Sequence, residues 1–221
     1  MLFLRRLAVA AVFASLFGAP AWAQSDQCEV SEKIVFGGLD WDSNAFHVGV
    51  ARYILEKGYG CKTDVIPGST LPLLTALGRG DVQILMEIWK QNILDAWEKL
   101  SNDGKVIDVG VNFPDAIQGF FVPTYMQKGD PERGIDPIAP DLVHVDDLND
   151  HWELFKDPEQ PSKGRFHNCI LGWTCETINT KKMKVYGLDR KFVNFRPGTG
   201  AALAAAIASN YERGEPFVAY Y

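Results

Sequence analysis

The chain has 221 residues, of which 23% are charged, and it carries a formal net charge of −6 at pH 7. Removal of the N-terminal segment that contains Arg5 and Arg6 would lower this charge to −8, because that segment holds no acidic residue. A moderately acidic protein is a poor candidate for binding nucleic acid or an anionic membrane surface, so neither partner is expected. The length suits one large domain or two lobes of about 100 residues each.

The N-terminus has the pattern of a cleaved secretory signal peptide, which we predict over residues 1–23. Two arginines precede an apolar run over residues 7–18, and Ala21-Trp22-Ala23 fits a small-x-small cleavage site. The run is too short to span a membrane, and Cys28 lacks the small apolar residues that precede a lipidated cysteine. We therefore expect a soluble periplasmic protein that is not a lipoprotein.

All four cysteines lie in the exported part of the chain, namely Cys28, Cys61, Cys169 and Cys175. An even number of cysteines in an oxidising compartment favours disulfide bonds, and two local pairs are the simplest interpretation. Their spacing matches neither a CxxC redox pair nor a zinc template. The four histidines also lack metal-ligand spacing, so no metal and no cofactor are expected.

Residues 24–115 alternate between strand and helix patterns and are predicted to form a first lobe. Strands are predicted at 33–39, 62–67, 81–89 and 105–111, and helices at 43–58, 69–77 and around Leu94, Trp97 and Leu100. Such alternation predicts an α/β fold with a mostly parallel sheet that helices cover on both faces.

A second, smaller lobe is predicted over residues 116–215, because the sequence pattern changes near residue 115. The predicted strands lie at 118–125 and 191–195, and the predicted helices at 146–155, 174–186 and 199–213, the last with Thr199 as its N-cap. Residues 216–221 are interpreted as the start of a strand that returns to the first lobe.

Three tryptophans lie at or just after the ends of strands or apolar stretches. They are Trp41, Trp89 and Trp173, whereas Trp97 and Trp152 fit helix faces and are expected to be packing residues. In open α/β sheets ligands gather at the carboxyl ends of the strands. Core packing is the ordinary alternative for any single tryptophan, but three in this position favour a pocket.

Converging aromatic faces suit one kind of ligand, a quaternary ammonium. Such a cation has no N–H to donate, so ordinary hydrogen-bond recognition fails, whereas aromatic faces attract its charge and cover its methyl groups. Each cation–π contact contributes roughly 0.5 to 2 kcal/mol. The three tryptophans therefore predict an aromatic cage.

Five segments carry a resemblance to a known family: FGGLDWDSNAFH, LTALGRGDVQILMEIWKQN, DAIQGFFVPTY, NCILGWTCE and RGEPFVAYY. Over about residues 33–221 the chain resembles the substrate-binding proteins of ABC importers for glycine betaine, proline betaine and choline. The resemblance implies a type II, two-lobed periplasmic-binding fold in a monomer that binds a small quaternary-ammonium ligand. It also implies delivery of that ligand to a membrane permease, whose ATPase lies on the cytoplasmic side, and no enzymatic activity.

The resemblance assigns roles to individual residues. Trp89 and Trp173 match cage tryptophans of betaine-binding relatives, and Trp41 matches one of choline-binding relatives. The backbone N–H groups of Thr174 and Cys175 match those that receive the ligand carboxylate. Both residues also begin a predicted helix, where unpaired N–H groups and the helix dipole favour an anion.

Two departures from the family pattern affect these expectations. Relatives often carry a histidine shortly after the tryptophan that matches Trp89, whereas residues 90–93 read KQNI here. Relatives also continue beyond the position of Tyr221, so the chain looks like a C-terminally incomplete member. Apolar surface is accordingly expected to be exposed on the first lobe.

Three further residues have an expected role or side-chain orientation. Asp42 is placed to meet the cation or a choline hydroxyl, with a solvated acid at a helix start as the alternative. Tyr125 is a candidate cage wall, although a core tyrosine at a strand end is the favoured interpretation. Glu87 is expected, from strand alternation, to point to the face opposite Trp89.

Two other functions are compatible with these residues. A ligand-sensing binding domain that is not coupled to transport has the same sequence features. An exported enzyme has less support, because the chain contains no GxSxG elbow, HExxH helix or CxxC pair.

The expected disulfides are Cys169–Cys175 and Cys28–Cys61. The second pair flanks the first strand–helix unit, and neighbouring parallel strands would bring its two members together. The loop between Cys169 and Cys175 is too short for its closure to add much global stability. We therefore expect this bond to order a tight loop that directs Trp173 towards the ligand.

Overall fold

The computed structural model describes residues 28–221, so the predicted signal peptide lies outside the described residues. Helices and strands alternate through this part of the chain, as the sequence predicts. The described elements are β1 (Ile34–Gly38), α1 (Asp42–Tyr53), β2 (Thr63–Pro67), α2 (Thr70–Arg79), α3 (Leu94–Asn102), β3 (Phe120–Phe121), α4 (Thr124–Lys128), β4 (Gly164–His167), α5 (Thr174–Val185), β5 (Phe192–Phe195), α6 (Gly200–Arg213) and β6 (Val218–Tyr220).

Two separate sheets organise the described residues. Strands β1 and β2 pair in parallel, and a four-stranded sheet has the order β3-β6-β4-β5. Strand β4 is parallel to both of its neighbours, whereas β3 is antiparallel to β6. The strands before residue 115 thus form one sheet and those after it form the other, while the lobe boundary itself stays a prediction.

The last strand belongs to the second sheet. Strand β6 pairs with β4, with Val218 opposite Phe166, and its three residues are buried. Residues 218–220 thus pair within the second sheet, while the interpretation of residues 216–221 as the start of a strand towards the first lobe stays a prediction. Helix α6 carries the chain from β5 to the far side of β4, where pairing buries the apolar side chains of β6.

Two predicted strands of the first half do not form. Residues 81–89 contact β1 through an isolated bridge between Phe36 and Ile84. Residues 105–111 run outside any strand and leave Val109 91% exposed. Apolar alternation favours a strand, but a strand also needs a sheet edge with which its backbone can pair.

The second half differs from the prediction in three places. The predicted helix at residues 146–155 is instead two short 3₁₀ helices, Val145–Asn149 and Trp152–Phe155. Helix α4 and strand β4 were not predicted from the sequence. Strand β4 reads Gly-Arg-Phe-His, which lacks the apolar run that signals a buried strand.

The larger hydrophobic core lies in the second half. Its fully buried members include Met126, Phe166, Met183, Leu188 and Val218. Trp152 packs against this core, which confirms its predicted packing role. A smaller core in the first half consists of Leu39, Leu73 and Val82, and Trp41 packs against it. Trp41 therefore sits where the first-half core meets the site described below.

Helix α1 presents an apolar face to solvent. Phe46 and Tyr53 are each 67% exposed, and so are Val50 and, directly after the helix, Ile54, to a smaller extent. In the described part of the chain, no helix combines the length and the apolar character needed to cross a membrane.

Candidate functional site

A cavity of about 390 Å³ lies between the two halves of the described chain and is lined by residues from both. Five of the predicted ligand residues line it, namely Trp41, Trp89, Trp173, Thr174 and Cys175. Aromatic side chains dominate the wall: Trp41, Trp89, Phe113, Trp173, Tyr220 and Tyr221. The fold thus brings together residues that are up to 180 positions apart.

Trp41 and Trp173 meet across the two halves. Their ring centroids are 5.6 Å apart, and the ring planes are nearly perpendicular at 83°. Trp173 Nε1 donates a hydrogen bond of 2.7 Å to Asp40 Oδ1, in the loop that follows β1. A Cβ atom added at Gly200 would lie 2.8 Å from the Trp173 ring, so glycine at this position lets the ring pack on the start of α6.

The loop that carries Trp173 is constrained at several points. The structure contains both predicted disulfides, Cys28–Cys61 and Cys169–Cys175, and the second closes this loop. Gly172 has a φ of 99°, a region that side chains with a Cβ rarely adopt. The loop therefore presents Trp173 in a fixed direction.

A buried hydrogen-bond network also anchors the loop that carries Trp173. Asn168 Oδ1 accepts from the backbone N–H of Cys169 at 2.7 Å and from Asn179 Nδ2 at 2.8 Å. Asn168 Nδ2 donates to Asn194 Oδ1 at 2.8 Å. Since Asn179 lies on α5 and Asn194 on β5, the network ties the loop to both elements.

Trp89 is held by a buried carboxylate. Its Nε1 donates to Glu87 Oε1 at 2.8 Å, and Ser43 Oγ donates to Glu87 Oε2 at 2.8 Å. Glu87 is only 5% exposed and lines the cavity. The Phe113 ring lies nearly parallel to the Trp89 ring, at a centroid distance of 6.5 Å and an angle of 12°.

The expectation that Glu87 points away from Trp89 is wrong. Residues two apart in a strand share a face, since side chains alternate with a period of two. This segment is also not a regular strand: the structure has a bend at Met86 and then irregular backbone up to the 3₁₀ helix Lys90–Asn92. The hydrogen bond between the two side chains shows that Glu87 and Trp89 lie on the same side.

A second set of hydrogen-bonded polar side chains in the cavity wall centres on Gln118. Its Oε1 accepts hydrogen bonds from Tyr220 Oη and from Asn92 Nδ2. Within the described residues Gln118 Nε2 is buried without an acceptor, and so is Trp41 Nε1. Both residues line the cavity, but these two nitrogen atoms are covered by surrounding protein atoms.

The first turn of helix α5 lies at the cavity wall and carries backbone N–H donors. Helix α5 starts at Thr174, with Trp173 in extended conformation as its N-cap. The N–H groups of Thr174 and Cys175 belong to the first turn, where no intrahelical acceptor exists. The arrangement suits an electronegative ligand atom.

Two predicted ligand residues lie outside this cavity. Tyr125 is buried in the larger core, where its Oη donates to the backbone carbonyl of Glu215 at 2.7 Å, and burial raises the pKa of its phenol. The structure thus has the core position that the sequence favoured for Tyr125, and not a place in the cavity wall, because α4 directs the ring into the core. Asp42 is exposed at the start of α1 and lines a neighbouring cavity of about 230 Å³ that also touches Trp41 and Trp173.

The aromatic residues at the chain end were missed by the sequence analysis. Burial raises the pKa of Tyr220, and burial together with the charges of Asp42 and Glu87 raises the pKa of Tyr221. The only available signal was their position at the end of a short apolar strand. In the described part of the chain, no group of three or more His, Cys, Asp or Glu side chains is arranged to hold a metal ion.

The model of the OpuAC family, described as the substrate-binding domain of an ABC-type glycine betaine transport system, matches residues 32–221. The chain belongs to the OpuAC family. This confirms the predicted resemblance to substrate-binding proteins of the glycine betaine and choline transport group. The OpuAC match covers both halves of the chain that contribute to the cavity.

One curated relative is the glycine betaine-binding periplasmic protein OusX of Dickeya dadantii (strain 3937). It is 26% identical over 146 residues, which are 65% of this chain and 40% of OusX. The chain thus spans less than half the length of this relative.

Solved structures share the fold at low sequence identity. A glycine betaine/L-proline-binding protein (ProX) from Borrelia burgdorferi has a TM-score of 0.64 at 18% identity, over 86% of this chain and 63% of its own. A choline-binding protein in complex with choline has a TM-score of 0.65 at 17% identity, over 86% and 59%. Lactococcal OpuAC with bound glycine betaine has a TM-score of 0.58 at 15% identity, over 86% and 64%. The chain therefore has the α/β fold of type II periplasmic binding proteins, as predicted.

Proposed function

We propose that this chain captures a quaternary-ammonium solute in an aromatic cage and delivers it to an ABC importer. The observation that carries the proposal is that Trp41, Trp89 and Trp173 line one cavity of about 390 Å³ although they lie far apart in the sequence. That volume falls within the ordinary range for small-molecule sites. Glycine betaine, proline betaine and choline are the candidate ligands.

The arrangement of the rings supports a cage. The perpendicular Trp41 and Trp173 rings, 5.6 Å apart, can cover two sides of a tetrahedral trimethylammonium group. The hydrogen bond to Glu87 fixes the plane of Trp89, which adds a third side. Each ring contributes roughly 0.5 to 2 kcal/mol through the cation–π interaction, in addition to the burial of methyl groups.

Neutral donors support the binding of an oxygen at the other end of the ligand. The N–H groups of Thr174 and Cys175 both belong to lining residues. Together they suit a carboxylate or a hydroxyl oxygen. In this proposal they bind the ligand oxygen in place of the histidine that relatives often carry and that residues 90–93 lack.

Membership of the OpuAC family and the predicted signal peptide support a periplasmic location. The two disulfides fit an oxidising compartment. The proposed partner is the permease of an ABC importer, which would receive the ligand from a monomeric binding protein. Neither a cofactor nor a catalytic step is part of this proposal.

Isothermal titration of the full chain with choline, glycine betaine and proline betaine tests the proposal. Glycine serves as a control because it lacks the N-methyl groups. We expect saturable 1:1 binding of at least one quaternary ammonium, no binding of glycine, and a ligand that is chemically unchanged by NMR. Absence of binding for the whole panel by a cooperatively folded protein would contradict the proposal.

A further inference from the structure

We propose that Glu87 determines which ligands the cavity accepts, and that its carboxylate selects net-cationic solutes of the choline type over zwitterionic betaines. This inference rests on the proposed function, since it assumes that the cavity holds a quaternary ammonium group. It narrows the ligand class through Glu87, whose side chain the sequence analysis expected on the face opposite Trp89.

The charge of the cavity is unbalanced. Among the described residues that line it, Glu87 is the only one with a charged side chain. Two lysines lie nearby but serve other contacts. Lys90 Nζ pairs with Asp108 Oδ2 at 2.6 Å on the surface, and the exposed Lys182 lies outside the lining, with its Nζ 6.0 Å from the Tyr220 ring centroid.

Neutral donors hold the carboxylate of Glu87. Trp89 Nε1 and Ser43 Oγ each donate to one oxygen at 2.8 Å. His47 Nδ1 lies 4.0 Å from Oε2, too far for a hydrogen bond, and adds a counter-charge only when its imidazole is protonated. Burial of a carboxylate without a counter-charge is unfavourable, because hydration is lost and no cation replaces it. A bound cation supplies that counter-charge.

The hydrogen bond between Glu87 and Trp89 also acts on the cage. An anion at the indole N–H raises the electron density of the ring, and a more electron-rich ring attracts a cation more strongly. The same bond fixes the ring plane. Glu87 thus contributes both its own charge and the orientation of a cage wall.

The remaining polar groups of the lining suit a hydroxyl oxygen. The N–H groups of Thr174 and Cys175, at the start of α5, are neutral donors that belong to lining residues. A ligand carboxylate can also accept from them, but it adds a second negative charge to the cavity. Two unit charges about 6 Å apart at an effective dielectric constant of about 20 change an affinity by about 100-fold. The N-terminus of α5 offsets part of this repulsion, so we expect a preference for choline of about tenfold or more.

The test compares the dissociation constants of choline and glycine betaine for the full chain. Glu87→Gln removes the charge at nearly constant shape, Glu87→Asp keeps the charge, and Glu98→Gln makes the same charge change on the exposed surface of α3. The wild type should prefer choline, Glu87→Gln should lose that preference mainly through weaker choline binding, and both other variants should retain it. A thermal melt of each variant establishes that it is folded.

The outcomes separate this inference from the proposed function. Equal or tighter binding of glycine betaine by the wild type would overturn the role of Glu87 while leaving the cage intact, and this result needs no variant. A folded Glu87→Gln variant with unchanged preference would overturn it as well. Failure of the wild type to bind either ligand would instead overturn the proposed function.

Discussion

Replacement of Trp173 is the most informative single perturbation of the cage. Trp173→Ala removes one ring face, the perpendicular contact with Trp41 at 5.6 Å and the hydrogen bond to Asp40. Loss of a cation–π contact and of methyl burial costs about 1 to 3 kcal/mol, or roughly 5- to 150-fold in affinity. Trp173→Phe keeps an aromatic face and loses the hydrogen bond, so its affinity should fall by a smaller factor.

Isothermal titration with the best ligand of the panel measures this series. Trp97→Ala is the matched control, because Trp97 lies on α3 outside the cavity lining and contacts Lys90. It should lower the melting temperature and spare the affinity. The reasoning would be refuted if Trp173→Ala bound the ligand normally while folded, or if Trp97→Ala weakened binding as much.

Three further predictions concern stability and the support of the cage. Burial and the nearby Arg165 lower the pKa of His167 to about 4, whereas the pKa of histidine in an unfolded chain is about 6.5. The unfolded state therefore binds protons more readily, and the free energy of unfolding should fall by up to about 3 kcal/mol as the pH drops from about 6.5 to 4. Denaturant melts of His167→Gln should show a weaker pH dependence over that window, and an unchanged slope would contradict this. Cys169→Ala/Cys175→Ala should lower the free energy of unfolding by about 2 kcal/mol, the low end for a disulfide because the loop is short. Its ligand affinity should fall as well, because Trp173 loses its fixed direction; unchanged affinity would show that the loop orders itself without the bond. Gly200→Ala should weaken binding and also lower the melting temperature, since its methyl group would lie 2.8 Å from the ring of Trp173, which cannot move freely; titration beside a melt checks both.

The sequence predicted the order of the elements well where local signals were strong. Helix α6 begins as expected, with Thr199 Oγ1 accepting a hydrogen bond from the N–H of Ala202 at 3.0 Å, and it ends before Gly214 in the left-handed conformation. Helices α2 and α5 also begin within one residue of the expected position. Hydrophobic period and capping residues act over a few positions, so they can be read directly from the chain.

Features that depend on distant partners were predicted less well. Residues 105–111 have the apolar alternation of a strand, but pairing depends on an edge elsewhere in the fold. Strand β6 joined β4 because burial of Val218 there is favourable, which no local pattern indicates. Tyr125 entered the core for the same reason, since the space between α4 and α6 accepts its ring.

The residues of the candidate site likewise divide into those that local patterns predict and those that depend on distant partners. Trp41, Trp89 and Trp173 were predicted together because strand ends of an α/β sheet converge. Glu87 and Gln118 were not, because their roles follow from hydrogen-bond partners that lie far away in the sequence: Ser43 lies 44 positions from Glu87, and Tyr220 lies 102 positions from Gln118.

The most direct measurement of the cage compares choline with 3,3-dimethylbutan-1-ol, in which carbon replaces the quaternary nitrogen at nearly equal shape. Both ligands bury the same methyl groups, but only choline carries the charge that the aromatic faces and Glu87 attract. The account predicts that titration of the full chain gives choline an affinity about tenfold higher or more. Equal affinities for the two ligands would contradict it and assign the three tryptophans to ordinary apolar packing.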